Sequence, residues 1–164
     1  MPLLTRTAAL ISFSALALSL NGQAAPSSPL STCSGPIPEL LSCKYPLKAF
    51  GGRVLPQILP NTVPYEKRVM RLTGGLLRLN TTAREPNTGT YSLEWNWMDN
   101  EKNLKKTAND VGNFVITAAG QLTFTSMGGT VYKGTLKGGQ VAVTGVPLVT
   151  DNFSGRVALT FSGK

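Results

Sequence analysis

Three carboxylates and both tryptophans of this 164-residue chain fall in one short segment. Glu94, Asp99 and Glu101 are close in sequence, and Trp95 and Trp97 lie between the first two. A glycoside hydrolase needs only two carboxyl groups, one to protonate the leaving group and one to act as base or nucleophile. Tryptophan rings beside them would suit stacking on a sugar. The segment therefore raises the hypothesis of a carbohydrate-active enzyme.

The composition excludes several other chemistries. The chain has no histidine, which rules out Ser-His-Asp and Cys-His nucleophile systems and histidine-ligated zinc. Two cysteines without further ligands are too few for a metal site. No GxxxxGK[ST] loop and no GxGxxG between a strand and a helix is present. We therefore expect neither a metal nor a cofactor.

The segment that carries the tryptophans, YSLEWNWM over 91–98, alternates strictly between apolar and mostly polar residues. A period of two indicates a strand with one buried face. Tyr91, Leu93 and the tryptophans share that face, so we expect them in a core rather than in an aromatic binding surface. The opposite face, with Glu94 and Asn96, and the charged connection that begins at Asp99 become the candidate binding region.

Basic residues extend this candidate region. The chain carries 16 Lys and Arg against 8 Asp and Glu, a formal charge of +8. One interpretation is a basic surface for an anionic lipid, glycan or acidic protein. The alternative is a set of ordinary outward charges that keep the protein soluble and protect strand edges. The predicted binding residues are Glu94, Asn96, Asp99, Lys102, Lys105, Lys106, Lys133 and Lys137.

The N-terminus has the layout of a secretory signal peptide. A short segment with one arginine precedes the uncharged apolar run 8–20, and small residues allow cleavage after Ala24. We therefore predict a secreted or periplasmic protein, for which nucleic acid is an improbable partner. In an oxidising compartment Cys33 and Cys43 are expected to form a disulfide. Asn80 and Asn152 begin N-glycosylation sequons, whose use depends on the source.

The elements that would position these residues are strands. Residues 25–64 are rich in proline and predict an irregular strap that the disulfide pins, followed by a β domain over 65–164. Glycines at intervals of roughly ten residues punctuate alternating segments and predict an antiparallel β-barrel or β-sandwich, a meander of about seven or eight strands. Leu104, Ala108 and Val111 have helical spacing, so one short helix is expected at about 100–111.

The segment GTYSLEW resembles the Gly-x-Trp start of lipocalin- and avidin-like barrels, with Tyr91 where the tryptophan would stand. The resemblance covers a few residues and transfers neither a ligand nor site residues, so no family is assigned. The sequence favours an exported, non-enzymatic binding or inhibitor module that acts on an envelope or extracellular protein or an anionic glycan or lipid. The alternative is a carbohydrate-active enzyme that uses Glu94, Asp99 and Glu101.

Overall fold

A computed structural model describes residues 42–61, 68–82, 84–99, 104–150 and 152–163. These residues form a single antiparallel sheet of ten strands. The strands are β1 Ser42–Phe50, β2 Arg53–Val54, β3 Gln57–Ile58, β4 Met70–Thr81, β5 Thr88–Asp99, β6 Leu104–Ile116, β7 Gln121–Ser126, β8 Val131–Lys137, β9 Gln140–Val149 and β10 Ser154–Ser162. The predicted all-β fold class is confirmed.

The first strand closes the sheet into a barrel of eight strands, β1 and β4 to β10. The segment Ser42–Pro46 of β1 pairs with β4, and Leu47–Phe50 pairs with β10. From β4 onwards each strand pairs with the next one along the chain. The meander is therefore confirmed, and the architecture is a barrel rather than a sandwich. No helix in the described part of the chain could span a bilayer.

The barrel interior is filled by large side chains from alternate positions. Tyr91, Phe124 and Tyr132 pack ring against ring, with centroids 5.0 Å apart for the first pair and 5.2 Å for the last. Trp95 and Trp97 are each only 5% exposed. An eight-stranded barrel is just wide enough for its own side chains to fill. The prediction that the tryptophans belong to the core is confirmed.

The predicted helix at about 100–111 is wrong for the part that the structure describes. Residues 104–111 belong to β6, which pairs with β5 without interruption from Leu104 to Val115. The helical spacing rested on three apolar residues. As a strand, the segment instead forms continuous backbone pairing with β5, which is rich in aromatic residues. Positions 100–103 lie outside the described residues.

The prediction of an irregular strap is also corrected, because β1 to β3 lie within it and β1 is a barrel strand. Proline inside a strand is tolerated where one side has no ladder partner. Pro46 lies in the half of β1 that pairs with β4 alone, and Pro147 lies where β9 pairs with β10 alone.

Cys43 is fully buried in β1. Cys33 lies outside the described residues, so their disulfide stays a prediction.

The barrel wall opens twice at the end where β4 and β6 begin, which we call the upper end. The first opening lies between β1 and β4, which pair only at Ser42–Pro46. Two short strands fill it, β2 on β1 and β3 on β4. The second, which we call the side opening, lies between β6 and β9. Pairing of β7 with β6 ends at Gly112, and pairing of β8 with β9 ends at Thr144.

Candidate functional site

The side opening exposes part of the barrel interior. In an antiparallel pair, directly opposed residues point to the same face. Lys106, Ala108 and Asp110 of β6 stand opposite Trp97, Trp95 and Leu93 of β5, and all six therefore face inward. The three residues of β5 are buried, but the three of β6 are only half-buried. Solvent thus reaches the interior beside the upper half of β6.

The backbone of β6 presents an open edge to this side opening. Val111 O accepts a hydrogen bond from Met127 N at 2.9 Å, on the β7 side, whereas Ile116 N donates to Asn87 O at 2.8 Å, on the β5 side. Backbone groups of successive residues point to opposite sides of a strand. Lys105, Thr107 and Asn109 therefore direct their N–H and C=O groups into the opening. No strand within the described ranges pairs with β6 there.

Exposed apolar side chains border the same opening. Isolated exposed apolar residues are normal, but a group of them around one opening in a sheet is typical of a contact surface. More than half of the exposed large apolar residues in the described part of the chain belong to the strands and the turn around the side opening. They are Leu104 and Val111 on β6, Met127 in the β7–β8 turn, Val131 at the start of β8 and Val149 at the end of β9.

A cluster of three polar side chains forms the lower margin of the opening. The hydroxyls of Tyr91 and Tyr132 both donate to Oδ2 of Asp110, each at 2.7 Å. These bonds tie β6 to β5 and β8 beside Gly112, where the backbone pairing of β6 with β7 ends. Burial is the main cause that raises the pKa of both tyrosines above the ordinary value. The sequence interpretation missed Asp110 because it placed this residue in a helix; strand alternation would have placed it inside.

Glu94 and Asn96 lie on the outer face of β5, as the alternation predicts. Asn96 Nδ2 donates to Glu94 Oε1 at 3.3 Å, and Thr107 Oγ1 donates to Asn96 Oδ1 at 2.6 Å. Thr73 Oγ1 donates to the Asn96 backbone carbonyl at 3.0 Å. The side chain of Asn96 is thus held in a network that joins the outer faces of β4, β5 and β6.

Asp99 corrects the expectation of a solvated carboxylate in a charged connection. It ends β5 on the inner face, is 0% exposed, and its Oδ2 lies 3.7 Å from Nη1 of Arg68. The buried Asn152 donates from Nδ2 to the Arg68 carbonyl at 3.0 Å, which ties the β9–β10 loop to this corner. Glu94 points outward from the same strand, so the two carboxylates do not face one another. Glu101 lies outside the described residues.

The predicted lysines do not form one patch. Lys105 is exposed at the edge of the side opening, whereas its neighbour Lys106 faces inward opposite Trp97. Lys133 and Lys137 share the outer face of β8, two strands away from β6. Lys102 lies outside the described residues.

The balance of charge nevertheless differs between the two faces of the wall. The described residues include twelve Lys and Arg and four carboxylates. Two of those carboxylates, Asp99 and Asp110, point inward, where Arg68 and the two tyrosines contact them. Glu85 and Glu94 are left to offset the basic side chains on the described outer surface. The described outer surface of the barrel is therefore strongly positive.

Three buried donors of the core lack a hydrogen-bond acceptor in the described part of the chain: the indole N–H groups of Trp95 and Trp97 and the hydroxyl of Tyr45. Burial raises the pKa of Tyr45 to about 12. A buried donor without an acceptor is destabilising, so these groups contribute shape and apolar area rather than polar contacts.

The first opening differs in chemistry from the second. A shallow groove of about 300 Å³ lies over β2 and β3, lined by Phe50, Gly51, Arg53, Gln57, Ile58 and Pro60. Among its described lining residues Arg53 alone is charged, and Gln57 Nε2 donates to the carbonyl of Val54 within the lining segment. The groove thus lies on the surface of the segment that contains β2 and β3.

Comparison with family models, with curated proteins and with solved structures gives no match to this chain. Within the described ranges, no group of three or more histidine, cysteine or acidic residues is arranged to hold a metal ion. The geometry of the barrel itself is therefore the basis for inferring a function.

Proposed function

We propose that the protein is an exported, non-enzymatic binding module that docks an anionic partner outside the cytoplasm. The observation that carries this proposal is the excess of basic over acidic side chains on the described outer surface of the barrel wall, where Glu85 and Glu94 are the only described carboxylates. A surface of one sign attracts an oppositely charged partner and accelerates its association.

The N-terminal layout, with its apolar run 8–20, supports export. Export directs the search for partners to the envelope and the extracellular space, where acidic proteins, anionic glycans and anionic lipids are found. The expected disulfide between Cys33 and Cys43 suits the same compartment. Nucleic acid is an improbable partner there.

Within the described residues, which do not include Glu101, no geometric observation favours the alternative of a carbohydrate-active enzyme. A glycoside hydrolase requires its two carboxyl groups roughly 5–10 Å apart across one substrate. Glu94 lies on the outer face of β5, and Asp99 is buried at the inner face against Arg68. We therefore propose binding as the function and put forward no second candidate.

The proposal is tested with the mature protein and three anionic probes: phosphatidylglycerol vesicles, dextran sulfate and an acidic synthetic peptide. We expect binding to at least one of them at 50 mM salt and a clear loss at 200 mM, because screening weakens contacts between exposed charges. The double variant Lys133→Glu, Lys137→Glu should bind roughly tenfold more weakly. Glu94→Gln, which removes an outward negative charge, is the matched control and should bind at least as well. Absence of binding to all three probes at low salt would refute the proposal.

A further inference from the structure

We propose that the open edge of β6 binds an extended segment of a partner protein by strand addition, with acidic side chains directed outward and apolar side chains directed toward the barrel interior. This inference rests on the proposed function and names the class of partner and its mode of binding. The partner strand would lie beside Lys105–Asn109, in the position that β7 occupies lower in the barrel.

Backbone geometry supplies the first argument. Lys105, Thr107 and Asn109 direct their N–H and C=O groups into the side opening, in register with the β6–β7 ladder below. An added strand would continue that ladder at the usual spacing of about 4.8 Å. An extended peptide has the regular row of N–H and C=O groups that such a ladder requires, whereas a glycan or a lipid headgroup does not. The edge thus selects a protein among the possible anionic partners.

Side-chain chemistry supplies the second argument. Lys105 is exposed and points outward, so an acidic residue opposite it would form a cross-strand ion pair. Residues of the partner strand that face inward would lie beside Ala108, a small half-buried side chain that stands opposite Trp95. Apolar side chains suit that position. The exposed Met127 and Val131 at the foot of the opening offer further apolar contact.

The edge of β9 across the opening is less suitable. Its upper half contains Pro147, which has no N–H to donate, and Gly145 with φ of 76° interrupts the strand just below. A second copy of this chain is also disfavoured as the occupant of the β6 edge. The full chain has a formal charge of +8, so pairing of two copies would bring two basic surfaces together.

The experiment uses the mature protein and a blocked heptapeptide, Asp-Val-Glu-Val-Asp-Val-Glu. Two control peptides are the same sequence with N-methyl groups at alternate residues and the sequence with lysine in place of each acid. We expect the acidic peptide to bind and both controls to bind at least tenfold more weakly, because one lacks ladder donors and the other repels Lys105.

Amide hydrogen exchange locates the bound peptide. In the free protein, the amides of Lys105, Thr107 and Asn109 should exchange faster than those of Ala108 and Asp110, which face β5. Addition of the acidic peptide should slow the exchange of the first three by tenfold or more and leave the other two unchanged. This alternating pattern distinguishes strand addition from electrostatic contact at the surface, which would not protect alternate amides.

Two variants at Asn109, an exposed edge position, test the backbone contact. Asn109→Pro removes an N–H that faces the opening and should weaken peptide binding roughly tenfold. Asn109→Ala keeps that N–H and should bind like the natural chain. Should Asn109→Pro lose its fold by circular dichroism, the exchange pattern of the natural chain still decides the question.

Each outcome bears on a different statement. Peptide binding without protection of alternate amides would overturn strand addition but would support a basic docking surface. A dimer in solution with Thr107 and Asn109 already protected would overturn it in favour of a second copy. If the heptapeptide fails to bind while dextran sulfate or vesicles bind, the partner is not an extended segment and the inference fails alone. If no anionic probe binds, the inference and the proposed function both fail.

Discussion

The barrel wall has two openings at its upper end, and only the first is filled by described strands. Between β1 and β4, backbone fills the space: Leu55 N donates to Lys48 O at 3.1 Å and Leu59 N donates to Met70 O at 2.9 Å. Between β6 and β9, Met127 N donates to Val111 O at the foot of the opening, and the hydroxyls of Tyr91 and Tyr132 donate to Asp110 beside it, but no described strand pairs with β6 above. The backbone groups that border the first opening are thus satisfied by β2 and β3. Those on the upper edge of β6 can still form hydrogen bonds with another strand.

The difference originates in strand length. β4, β5 and β6 have 12, 12 and 13 residues, whereas β7 and β8 have 6 and 7. The short β7–β8 hairpin therefore ends below its neighbours. Natural proteins guard such edges with charge and proline, and Lys105 on β6 and Pro147 on β9 fit that pattern. Protection against like-charged copies is compatible with a partner of opposite charge.

Truncation of an apolar side chain should distinguish the openings most strongly. Leu59, 2% exposed beneath the first opening, belongs to the core, so Leu59→Ala should lower the free energy of unfolding by about 3–4 kcal/mol. Met127, 84% exposed at the side opening, should give a change within about 0.5 kcal/mol on replacement by alanine. Urea unfolding monitored by tryptophan fluorescence measures both. Similar costs for the two variants would show that the side opening is sealed.

Proline substitution compares a strand with two neighbours and the open edge. Arg71 of β4 lies between Ile58 of β3 and Met98 of β5, so Arg71→Pro should cost about 3 kcal/mol. Asn109→Pro removes an N–H that faces the opening and should cost about 1 kcal/mol or less in the absence of a partner. Arg71→Ala and Asn109→Ala control for loss of the side chains. A cost at Asn109 as large as that at Arg71 would mean that its N–H is already engaged.

Much of the fold could be predicted from the sequence because alternation is a local property. The segment 91–98 fixes which side chains of β5 are buried, and the glycine spacing predicts the meander. β1 was not predicted because Pro46 argues against a central strand; its tolerance depends on one-sided pairing, which only the closed barrel shows. The helix predicted at about 100–111 was wrong over the described residues 104–111, because three apolar residues matched a helical period while the ladder with β5 is non-local.

The candidate site was less predictable because it depends on how strands of unequal length are aligned. The outward positions of Glu94 and Asn96 follow from alternation alone. The burial of Asp99 against Arg68 depends on a contact across 31 residues of chain. The open edge at Lys105, Thr107 and Asn109 results from the early end of β7 and β8, a matter of register that no local pattern encodes.

The polar cluster at the side opening should carry measurable stability. Tyr132→Phe removes a hydroxyl that donates to the Asp110 carboxylate at 2.7 Å and should lower the free energy of unfolding by about 2 kcal/mol at pH 7, since hydrogen bonds to charged groups are the stronger class. Tyr45→Phe is the matched control: it removes a buried hydroxyl that has no acceptor in the described part of the chain, and should be neutral or stabilising. Equal costs would show that the cluster does not brace the opening.

Alkaline pH should reveal the same tyrosines through a smaller effect. Burial raises the pKa of Tyr132 and Tyr45 in the folded protein, and for Tyr45 it does so to about 12, whereas an unfolded tyrosine titrates near 10. The unfolded chain releases these protons first, so stability is full below about pH 10 and declines as the pH rises above it. Each buried tyrosine should contribute a loss of about 1 kcal/mol between pH 10 and pH 11.

The variants Tyr132→Phe and Tyr45→Phe should each make the loss of stability between pH 10 and pH 11 smaller by about 1 kcal/mol, although only Tyr132→Phe is destabilising at pH 7. Urea unfolding at several pH values, with tyrosinate absorbance at 295 nm, measures the decline. An unchanged pH dependence in Tyr132→Phe would mean that this hydroxyl ionises freely in the folded protein, and that the side opening admits water as far as Asp110.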